Sequence, residues 1–495
     1  MFAMRPVGYV IGLLVTALGL TMLVPMAADW LDGNGRESTF ASVALVTVLI
    51  GAVTSLACAN ARTGGLSVQQ TFLLTVLSWL VLPIFGALPF WFGAPNATFT
   101  DAFFEAMSGM TTTGSTVFTG LDDMPVGTLL WRSMLQWFGG VGIIVVAMAF
   151  LPTLRVGGMQ VFRSEAFDTM GKILPRAAEI AGRIGVIYLA LTAACFIAYL
   201  AVGMGAFDAL IHTLTTVSTG GFSNRDISFA AFQGAPEYVA SVFMILSSLP
   251  FVRYVQIIAG TGVQDKVDAI IAGTARPLLR DTQVHAFLAL VFLLVALTGG
   301  YRMVVDGDLL EPAFREGVFN VTSIMSGTGY ASTDYQAWGA FPSVLFFMMG
   351  LIGGCAGSTC CAIKIFRFQI LFSAIGTQIR RINHPSGIFH PRFDGRPIDH
   401  DALSSVMAFF TMFMLSLGVL AAMLGAMGLS PITAISGAAT ALANIGPGLG
   451  PEIGPSGNFA GLPDGAKWLL SAAMLIGRLE LMSVYVLFTF VFWRR

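Results

Sequence analysis

Long runs of apolar residues recur along the whole chain, separated by short polar gaps. About 20 consecutive apolar residues are enough for a helix to cross a bilayer, and many runs reach that length. Because the runs are continuous rather than alternating, they predict spanning helices and not the strands of a membrane barrel. We expect ten spanning segments, at 6–28, 40–60, 70–92, 128–151, 184–204, 237–259, 284–305, 338–373, 403–428 and 466–492. The eighth segment is too long for one simple helix.

The composition indicates an all-α polytopic membrane protein. Of the 495 residues, 56% are hydrophobic and only 11% are charged, and a soluble protein cannot bury that much apolar surface. The N-terminal run is too long for a signal peptide and lacks a clear cleavage site, so we expect it to remain as the first span. The polar gaps are too short for a soluble nucleotide-binding domain, and nothing indicates a nucleic-acid partner.

Basic residues are concentrated in alternate gaps between the predicted spans. They are Arg155, Arg163, Lys172, Arg176, Arg183, Arg253, Lys266, Arg276, Arg280, Arg367, Arg380, Arg381, Arg392 and Arg396, with Arg494 and Arg495 at the end of the chain. Since Lys and Arg mark the cytoplasmic side, both termini are predicted to be cytoplasmic. The other gaps are acidic, and on the outer face they would either raise the local concentration of cations or only solubilise the loops.

The cysteines and histidines define no standard metal site. The cysteines are Cys58, Cys195, Cys355, Cys360 and Cys361. Their apolar or glycine-rich surroundings argue against a disulfide framework. The last three could ligate a metal, but neither His nor an acid accompanies them, so we prefer to interpret them as small packing residues. One predicted cytoplasmic gap contains His384, His390 and His400, for which a pH sensor, a metal site and a simple solvated loop all stay open.

A short apolar stretch followed by a loop of glycine and threonine occurs four times. The segments are FTDAFFEAMSGMTTTGST, AFDALIHTLTTVSTGGFS, AFREGVFNVTSIMSGTGYAS and SPITAISGAATALANIGPGLG. They place Gly114, Gly220, Gly329 and Gly446 in equivalent positions, at intervals that fit one structural unit each. Each stretch lies between two spans and is too short to cross the bilayer itself, so we expect four re-entrant helices.

Loops of this kind suit a cation pathway. Non-helical backbone at membrane depth is tolerated only where it is buried in protein or lines a water-filled path. Glycine adopts positive φ, so four such loops around one axis could present rings of carbonyl oxygens that replace the hydration shell of a cation. Threonine before the glycine would add a hydroxyl, and the negative C-terminal ends of the short helices would favour a cation. The plainer alternative is four glycine-rich turns.

The segments MTTTGST, TTVSTGGFS, MSGTGY and LANIGPG resemble the four filter segments of the Trk/Ktr/HKT superfamily of potassium transporters. GGCAGSTCCAIK and LIGRLELM resemble two further signatures, and the two extra N-terminal spans are similar to the TrkH type rather than the shorter KtrB type. The resemblance covers essentially the whole chain. It implies a pseudo-fourfold pore in one polypeptide, a homodimer with one pore per subunit, and K⁺ as the transported ion, with no organic cofactor in this chain.

The resemblance also implies which residues form the K⁺-binding filter. They are Thr112, Thr113, Gly114, Ser218, Thr219, Gly220, Gly327, Thr328, Gly329, Asn444, Ile445 and Gly446. In this superfamily, glycine at all four central positions accompanies K⁺ selectivity, whereas serine at the first accompanies Na⁺ permeation. The fourth loop departs from the Thr-Gly pattern at Ile445, so we expect an incomplete ring of hydroxyls.

Small and polar residues interrupt the overlong eighth segment, which predicts a broken helix lining the pore. The resemblance implies a gating loop below the filter, formed by Gly353, Gly354, Gly357, Ser358, Thr359 and Lys364, with Arg478 opposite it at mid-membrane. We expect the glycines to make the loop mobile, and Arg478 to hold it closed or to repel a cation. The alternatives are a tightly packed kinked helix, an ion pair between Arg478 and Glu480, and a plain cytoplasmic-end role for Lys364.

The chain is predicted to contain two N-terminal transmembrane helices (1–66) and four pore repeats (67–155, 156–262, 263–376 and 377–495). The expected function is channel-like K⁺ uptake across the bacterial inner membrane. The alternative is a symporter coupling K⁺ to H⁺ or Na⁺, including a KtrB-like sodium-dependent transporter, although few ionisable residues lie at mid-membrane. An enzyme is disfavoured because the spans contain no catalytic cluster.

The basic inner loops suggest where partners bind. The resemblance implies a separate cytoplasmic nucleotide-binding regulatory subunit of the TrkA type, docked on these loops. Contact of the same loops with anionic membrane lipid is the competing interpretation.

Overall fold

The computed structural model describes residues 4–61, 66–149, 177–259 and 276–494, and this part of the chain is almost entirely helical. It contains seven helices long and apolar enough to span a membrane, and two further helix pairs that pass the same test together. The predicted all-α polytopic fold is therefore confirmed. Outside the described residues lie the predicted repeat boundaries near 155 and 262 and the basic positions Arg155, Arg163, Lys172, Arg176, Lys266 and Arg495.

An antiparallel hairpin of membrane helices opens the fold. Helix α1 (Arg5–Thr21) continues almost directly into α2 (Leu23–Asp32) as one span, and α3 (Glu37–Ala57) returns beside it. Glycines let the two spans approach closely: a methyl carbon on Gly12 would lie 2.5 Å from the backbone nitrogen of Ser55. Small residues at such contacts allow membrane helices to pack through van der Waals attraction.

Four units with the same order of elements follow, each with a spanning helix, a short helix, a loop and a further helix or helix pair. The first unit is α4 (Val68–Phe92), α5 (Phe99–Met110) and α6 (Val126–Ala149). The second is α7 (Ala177–Ala201), α8 (Ala206–Val217), α9 (Ala235–Ser248) and α10 (Phe251–Ala259). The third is α11 (Arg276–Leu279), α12 (Thr282–Tyr301), α13 (Leu310–Met325), α14 (Ala340–Gly350) and α15 (Ile365–Asn383). The fourth is α16 (His400–Ala426), α17 (Pro431–Ala443), α18 (Asp464–Arg478), α19 (Met482–Tyr485) and α20 (Phe490–Trp493).

Short elements complete the described chain. Single helical turns lie at Ala59–Ala61, Leu121–Asp123, Ser228–Phe232, Arg302–Asp306 and Val486–Phe488. Strand β1 (Ile352–Gly353) pairs in parallel with β2 (Ile363–Lys364), with Ile352 opposite Ile363. Strand β3 (Arg392–Phe393) pairs antiparallel with β4 (Arg396–Pro397) in a small hairpin that follows α15.

The short helices α5, α8, α13 and α17 form the centre of the molecule. They have 12, 12, 16 and 13 residues, too few to cross a bilayer, and their C-terminal halves are buried. The long helices instead expose apolar side chains such as Phe292 outwards, as expected for a surface that faces lipid. Local sequence sets where the short helices begin: the Thr98 hydroxyl accepts from the Asp101 N–H, and the Ser430 hydroxyl from the Thr433 N–H.

Two segments predicted as spans are sharply bent. Helices α9 and α10 meet at 85°, and α18 meets the turn that follows it at 105°. The first bend has a sequence cause, since Leu249 precedes Pro250 and adopts the extended conformation that proline imposes on its predecessor. The second bend has no cause that the sequence shows. Glu480 and Leu481 take positive φ angles of 62° and 45° there, although neither is glycine. The predicted spans at 237–259 and 466–492 are therefore each divided by a sharp bend.

The predicted break in the eighth segment is confirmed. Helix α14 ends at Gly350 and α15 begins at Ile365. The chain between them is not helical, and β1 and β2 close its two ends against each other. The interruption is therefore an intramembrane loop of its own rather than a kink.

The close contact in the N-terminal hairpin predicts a specific loss of stability. Gly12→Ala should lower the free energy of unfolding by about 1–3 kcal/mol, because its methyl group overpacks the contact with α3. The matched control is Gly185→Ala, since that helical glycine has no heavy atom within 4 Å of an added methyl carbon. Thermal unfolding of the purified variants in detergent measures both effects, and equal midpoints for the two would contradict the packing argument.

Candidate ion pathway

The four short helices end in one common backbone turn. A residue in the left-handed conformation follows each helix: Thr112 (φ 52°), Thr219 (φ 52°), Gly327 (φ 75°) and Asn444 (φ 53°). The next N–H donates to the carbonyl five residues earlier: Thr113 to Ser108 (2.8 Å), Gly220 to Thr215 (2.8 Å), Thr328 to Ser323 (2.8 Å) and Ile445 to Thr440 (3.1 Å). This bond terminates a helix without leaving the N–H unpaired.

The common turn corrects the predicted register of the second loop. Glycines with positive φ follow the turn at Gly114 (86°), Gly221 (80°), Gly329 (80°) and Gly446 (105°). Gly221, not Gly220, is therefore equivalent to Gly114, and Gly220 is equivalent to Thr113. The prediction was wrong by one residue because two glycines adjoin, and the sequence does not show which one takes positive φ. Ser218 accordingly caps the end of α8.

The four loops contact one another in a closed cycle. A methyl carbon on each of these glycines would meet a carbonyl oxygen of the next unit: Gly114 to Gly220 (2.3 Å), Gly221 to Thr328 (1.8 Å), Gly329 to Ile445 (1.7 Å) and Gly446 to Thr113 (3.0 Å). The order of contacts is thus first, second, third, fourth and back to first. The loops encircle one axis, and four carbonyl oxygens lie at their contacts.

The cycle is not chemically symmetric. The carbonyl of Gly220 accepts a hydrogen bond from Gln136 Nε2 (2.6 Å), and Gln136 Oε1 accepts from the Phe222 N–H (3.0 Å). Threonine directly precedes the glycine in only two loops, since Gly220 and Ile445 take that position in the others. The hydroxyl ring is therefore less complete than the sequence predicted. Gln136 itself was not predicted, because nothing in its own segment marks it.

Each short helix also supports the segment that leaves its loop. In three units, the side chain eight residues before the N–H donor of the common turn bonds to that segment. Glu105 accepts from the Val117 N–H (2.9 Å), His212 contacts Ser223 Oγ (3.1 Å), and Asn320 accepts from the Ser332 N–H (3.2 Å). In the fourth unit Ser436 Oγ accepts from the Leu449 N–H (2.9 Å). The three bonds from Val117, Ser332 and Leu449 satisfy backbone N–H groups that a bilayer would leave unpaired.

A buried ion pair joins the first two units beside the loops. Arg132 Nε donates to Glu105 Oε1 (2.8 Å), and Arg132 Nη1 donates to the Ser223 carbonyl (2.8 Å). The guanidinium also lies 4.3 Å from the ring centroid of Phe222. Sequence reasoning missed this pair, although an acid within the apolar stretch FTDAFFEAMSGM is a signal of a functional or structural partner.

The intramembrane loop, residues 351–364, which we call the plug, lies against the ends of the other loops. Thr219 Oγ1 donates to Thr359 Oγ1 (3.1 Å), and the Ala362 N–H donates to the Ala443 carbonyl (3.0 Å). A methyl carbon on Gly327 would lie 3.8 Å from the Cys361 nitrogen. The plug therefore touches the second, third and fourth units where their short helices end.

The plug is also docked on the bend between α9 and α10. The Cys355 N–H donates to the Ser248 carbonyl (3.0 Å), the Thr359 N–H to the Ser247 carbonyl (3.3 Å), and the Phe251 N–H to the Gly357 carbonyl (3.0 Å). The bend frees the carbonyls of the last α9 residues from helical partners. The bend thus supplies acceptors for the plug.

Two positions of the plug need glycine because they are closely packed, not because the plug must be mobile there. A methyl carbon on Gly353 would lie 1.9 Å from the Cys361 carbonyl oxygen, and one on Gly354 would lie 2.8 Å from Cys360 Sγ. Gly357 differs, with φ at 73° and no heavy atom within 4 Å. The Ser358 hydroxyl donates to the Cys355 carbonyl (2.7 Å).

Arg478 clamps the plug to the first unit. Its Nη1 donates to the Thr359 carbonyl (3.2 Å) and to Cys361 Sγ (2.5 Å), and its Nη2 donates to the Gly139 carbonyl (2.9 Å). Arg478 is 2% exposed, and its guanidinium carbon lies 5.6 Å from the ring centroid of Trp79. The residue thus meets the plug, as the resemblance implied.

The alternative of an ion pair between Arg478 and Glu480 is wrong, because Glu480 pairs with Arg367 instead. The Arg367 guanidinium lies 3.8 Å from the ring centroid of Phe409. Lys364 Nζ donates to the Cys360 carbonyl and is buried, which favours the anchoring role for Lys364 over a plain lysine at the membrane surface.

The remaining metal candidates do not converge. Across the described ranges, no group of three or more His, Cys, Asp or Glu side chains could hold a metal ion. Cys360 Sγ donates to Ser248 Oγ (3.0 Å), so this thiol packs and bonds against the end of α9. His384, His390 and His400 are exposed.

The Glu105–Arg132 pair predicts a strong dependence of stability on charge balance. Arg132→Met should cost about 3–5 kcal/mol, because it leaves a buried carboxylate unpaired. Adding Glu105→Gln should restore part of the loss, since the amide is neutral and still accepts from the Val117 N–H. The thermal unfolding midpoints of the variants in detergent measure both the loss of stability and its partial restoration.

The control for these variants is Arg225, which pairs with Asp122 (3.1 Å) and with Asp208 (3.3 Å) near the surface. Arg225→Met should cost less than about 1 kcal/mol, as is usual for surface pairs. A double variant no more stable than Arg132→Met alone would contradict the ion-pair argument.

Comparison with known proteins agrees with this arrangement. A family model described as TrkH, cation transport protein, matches residues 37–492. The Trk system potassium uptake protein TrkI of Halomonas elongata is 40% identical over 492 residues, which cover 99% of this chain and 97% of that protein. The Trk system potassium uptake protein TrkH of Escherichia coli strain K12 is 36% identical over 500 residues, with 99% of each chain covered.

A solved structure has the same fold over the full length. The crystal structure of the potassium transporter TrkH from Vibrio parahaemolyticus superposes with a TM-score of 0.89 at 33% identity, covering 100% of both chains. These matches extend from the N-terminal hairpin through all four units. The chain belongs to the TrkH family of cation transport proteins.

Proposed function

We propose that the chain conducts K⁺ into the cell across the cytoplasmic membrane, through the passage that its four loops encircle. The observation that carries this proposal is the closed cycle of glycines and carbonyl oxygens. Carbonyl oxygens fixed around an axis replace the hydration shell of a cation, and the glycines allow the loops to approach closely enough to form such a ring. The relatives named as potassium uptake proteins supply the identity of the ion.

The filter in this proposal consists of the residues in the common turn and the glycines after it. They are Thr112, Thr113, Gly114, Ser218, Thr219, Gly220, Gly221, Gly327, Thr328, Gly329, Asn444, Ile445 and Gly446. The set adds Gly221 to the residues that the sequence indicated. Four short helices direct the negative ends of their dipoles to the same region, which stabilises a cation there.

The plug acts as the gate, and Arg478 acts as its latch. The plug touches the ends of three loops, and Arg478 ties it to Gly139 of the first unit. A cation leaving the loops therefore meets both the plug backbone and a buried positive charge. Opening requires the plug to move away and the bonds of Arg478 to break.

Transport is proposed to be channel-like rather than coupled. Glu105 beside the loops and Glu480 beside the plug are each bound to an arginine. Such engaged groups are poorly placed to take up and release a proton or Na⁺ with each K⁺. A symporter using H⁺ or Na⁺, like the sodium-dependent KtrB type, is the second candidate.

The proposed setting is the inner membrane of a bacterium, with both termini cytoplasmic. Arg380, Arg381, Arg392 and Arg396 lie in and after α15, which leaves the plug, so the positive-inside rule places the plug on the cytoplasmic side of the loops. We also propose a homodimer with one pathway per subunit, and a TrkA-type nucleotide-binding subunit that docks on this basic segment.

The proposal is tested by ⁸⁶Rb⁺ uptake into proteoliposomes of the purified chain at fixed pH without a proton gradient. Competition by K⁺ and not by Na⁺ is the expected result. Uptake that requires an imposed H⁺ or Na⁺ gradient would support the symporter instead. Equal competition by Na⁺ would contradict the filter proposal.

The glycine ring predicts a graded effect on flux. Gly329→Ala should abolish ⁸⁶Rb⁺ uptake, because its methyl group would lie 1.7 Å from the Ile445 carbonyl oxygen. Gly446→Ala should retain more flux, since its nearest carbonyl oxygen is at 3.0 Å. The control is Gly120→Ala, which has positive φ but open space around it. Equal flux in Gly329→Ala and Gly120→Ala would show that the ring contact is not needed.

The latch predicts a leak. A hydrogen bond to a charged group contributes about 1.5–3 kcal/mol, so Arg478→Ala should shift the closed–open equilibrium by about 10- to 100-fold and raise basal ⁸⁶Rb⁺ flux. Cys361→Ala should raise the leak less, and Cys361→Ser should not, because serine keeps an acceptor for Arg478. Unchanged flux in Arg478→Ala would remove the latch from the mechanism.

A further inference from the structure

A small cavity lies beside the plug, within the membrane-spanning part of the protein. Its walls come from the plug, α6, α16, α17 and the end of α18 with the bend that follows it. Two basic side chains line it: Lys364 from the end of the plug and Arg478 from the end of α18. The centre of a water-sized sphere can move through about 20 Å³ of this space, which is room for about one or two waters or a single small ion.

Neither basic side chain is paired with an acid in the described part of the chain. Arg478 donates to two carbonyls and a thiol, and Lys364 donates to the Cys360 carbonyl. Glu480 also lines the cavity, but its carboxylate is bound to Arg367. Three buried cationic side chains therefore share one carboxylate. The carbonyl end of α18 offsets this only in part, since a helix terminus carries about half an elementary charge. A buried charge without a counter-charge is costly, so the cavity is short of negative charge.

The unused donors indicate which kind of ligand suits the cavity. Arg478 is 2% exposed, and its Nε has no hydrogen-bond partner among the described residues. The Lys364 ammonium has further N–H groups besides the one that donates to the Cys360 carbonyl. Neither side chain can accept a hydrogen bond, so an occupant must accept from both. Water would accept these bonds but leave the charge uncompensated, whereas an anion does both.

We propose that this cavity binds one small inorganic anion, chloride, between Lys364 and Arg478. The anion joins the plug to the helix that latches it, because Lys364 belongs to the plug and Arg478 to α18. Without it, two like charges in one cavity repel each other and favour release of the plug. Binding of chloride stands on the cavity alone, whereas its effect on gating rests on the function proposed above.

Anomalous scattering from bromide tests the site in the unmutated protein. Crystals of the full-length chain are grown with sodium bromide in place of chloride. We expect an anomalous difference peak between Lys364 Nζ and Arg478 Nε. Density there without an anomalous signal would show that the cavity holds only water, and it would overturn the proposal.

Thermal unfolding in detergent tests binding in solution. Chloride replaces gluconate at constant ionic strength and constant Na⁺, and the unfolding midpoint should rise until the site is saturated. Lys364→Gln should lose this shift, although its amide still has an N–H to donate to the Cys360 carbonyl. The matched control is Arg380→Gln, at an exposed basic position of α15, which should keep the shift. The same shift in all three proteins would mean that chloride acts only on the surface, which would also overturn the site.

Flux measurements test the effect on gating. Replacing chloride by gluconate on both sides of proteoliposomes should raise basal ⁸⁶Rb⁺ flux of the native protein and leave that of Lys364→Gln unchanged. A bromide peak together with equal flux in the two media would overturn the effect on gating. A bromide peak with no ⁸⁶Rb⁺ flux in either medium would contradict the proposed conduction and support the anion site.

Discussion

One constraint underlies the structure: backbone that leaves a helix inside a membrane must find hydrogen-bond partners within the protein. The four loops meet it with the same bond from the N–H at the turn to the carbonyl five residues earlier, as from Thr113 to Ser108. The outgoing segments are then held by side chains of the short helices, such as Glu105 and Asn320. The carbonyls at the contacts between loops can remain available for an ion because the N–H groups around them are already satisfied.

A single chain can build this ring with four different sequences, and the differences have consequences. Gln136 holds the Gly220 carbonyl, and Ile445 offers no hydroxyl where Thr113 and Thr328 do. The plug also does not contact the four loops equally, since its Thr359 accepts a hydrogen bond from Thr219 of the second loop. A symmetric ring would give such a plug no preferred side. The asymmetry of the loops therefore suits the gating role proposed for the plug, which belongs to one unit alone.

The sequence predicted those features that depend on local pattern. Apolar length located the spans, the repeated Gly/Thr segments located the four loops, and small and polar residues located the break in the eighth segment. Features that depend on tertiary contact were missed. Two adjacent glycines hid the register of the second loop, the bend at Glu480 and Leu481 has no proline or glycine to signal it, and Arg367 pairs with Glu480 from 113 positions away. The Glu105–Arg132 ion pair was also missed, although Glu105 carried a readable signal as a charge inside an apolar stretch.

The two buried arginines beside the plug have partners of different strength, and this difference assigns them different roles. Arg367 is paired with a carboxylate and stacked on Phe409, so its displacement would leave two buried charges unpaired. Arg478 is held by two carbonyls and a thiol, all neutral acceptors, and its Nε has no partner among the described residues. Breaking these bonds separates no ion pair, and the carbonyls can bond to entering water or K⁺. Arg367 therefore fixes the end of the plug at α15, and the neutral partners of Arg478 support the latch role proposed for it.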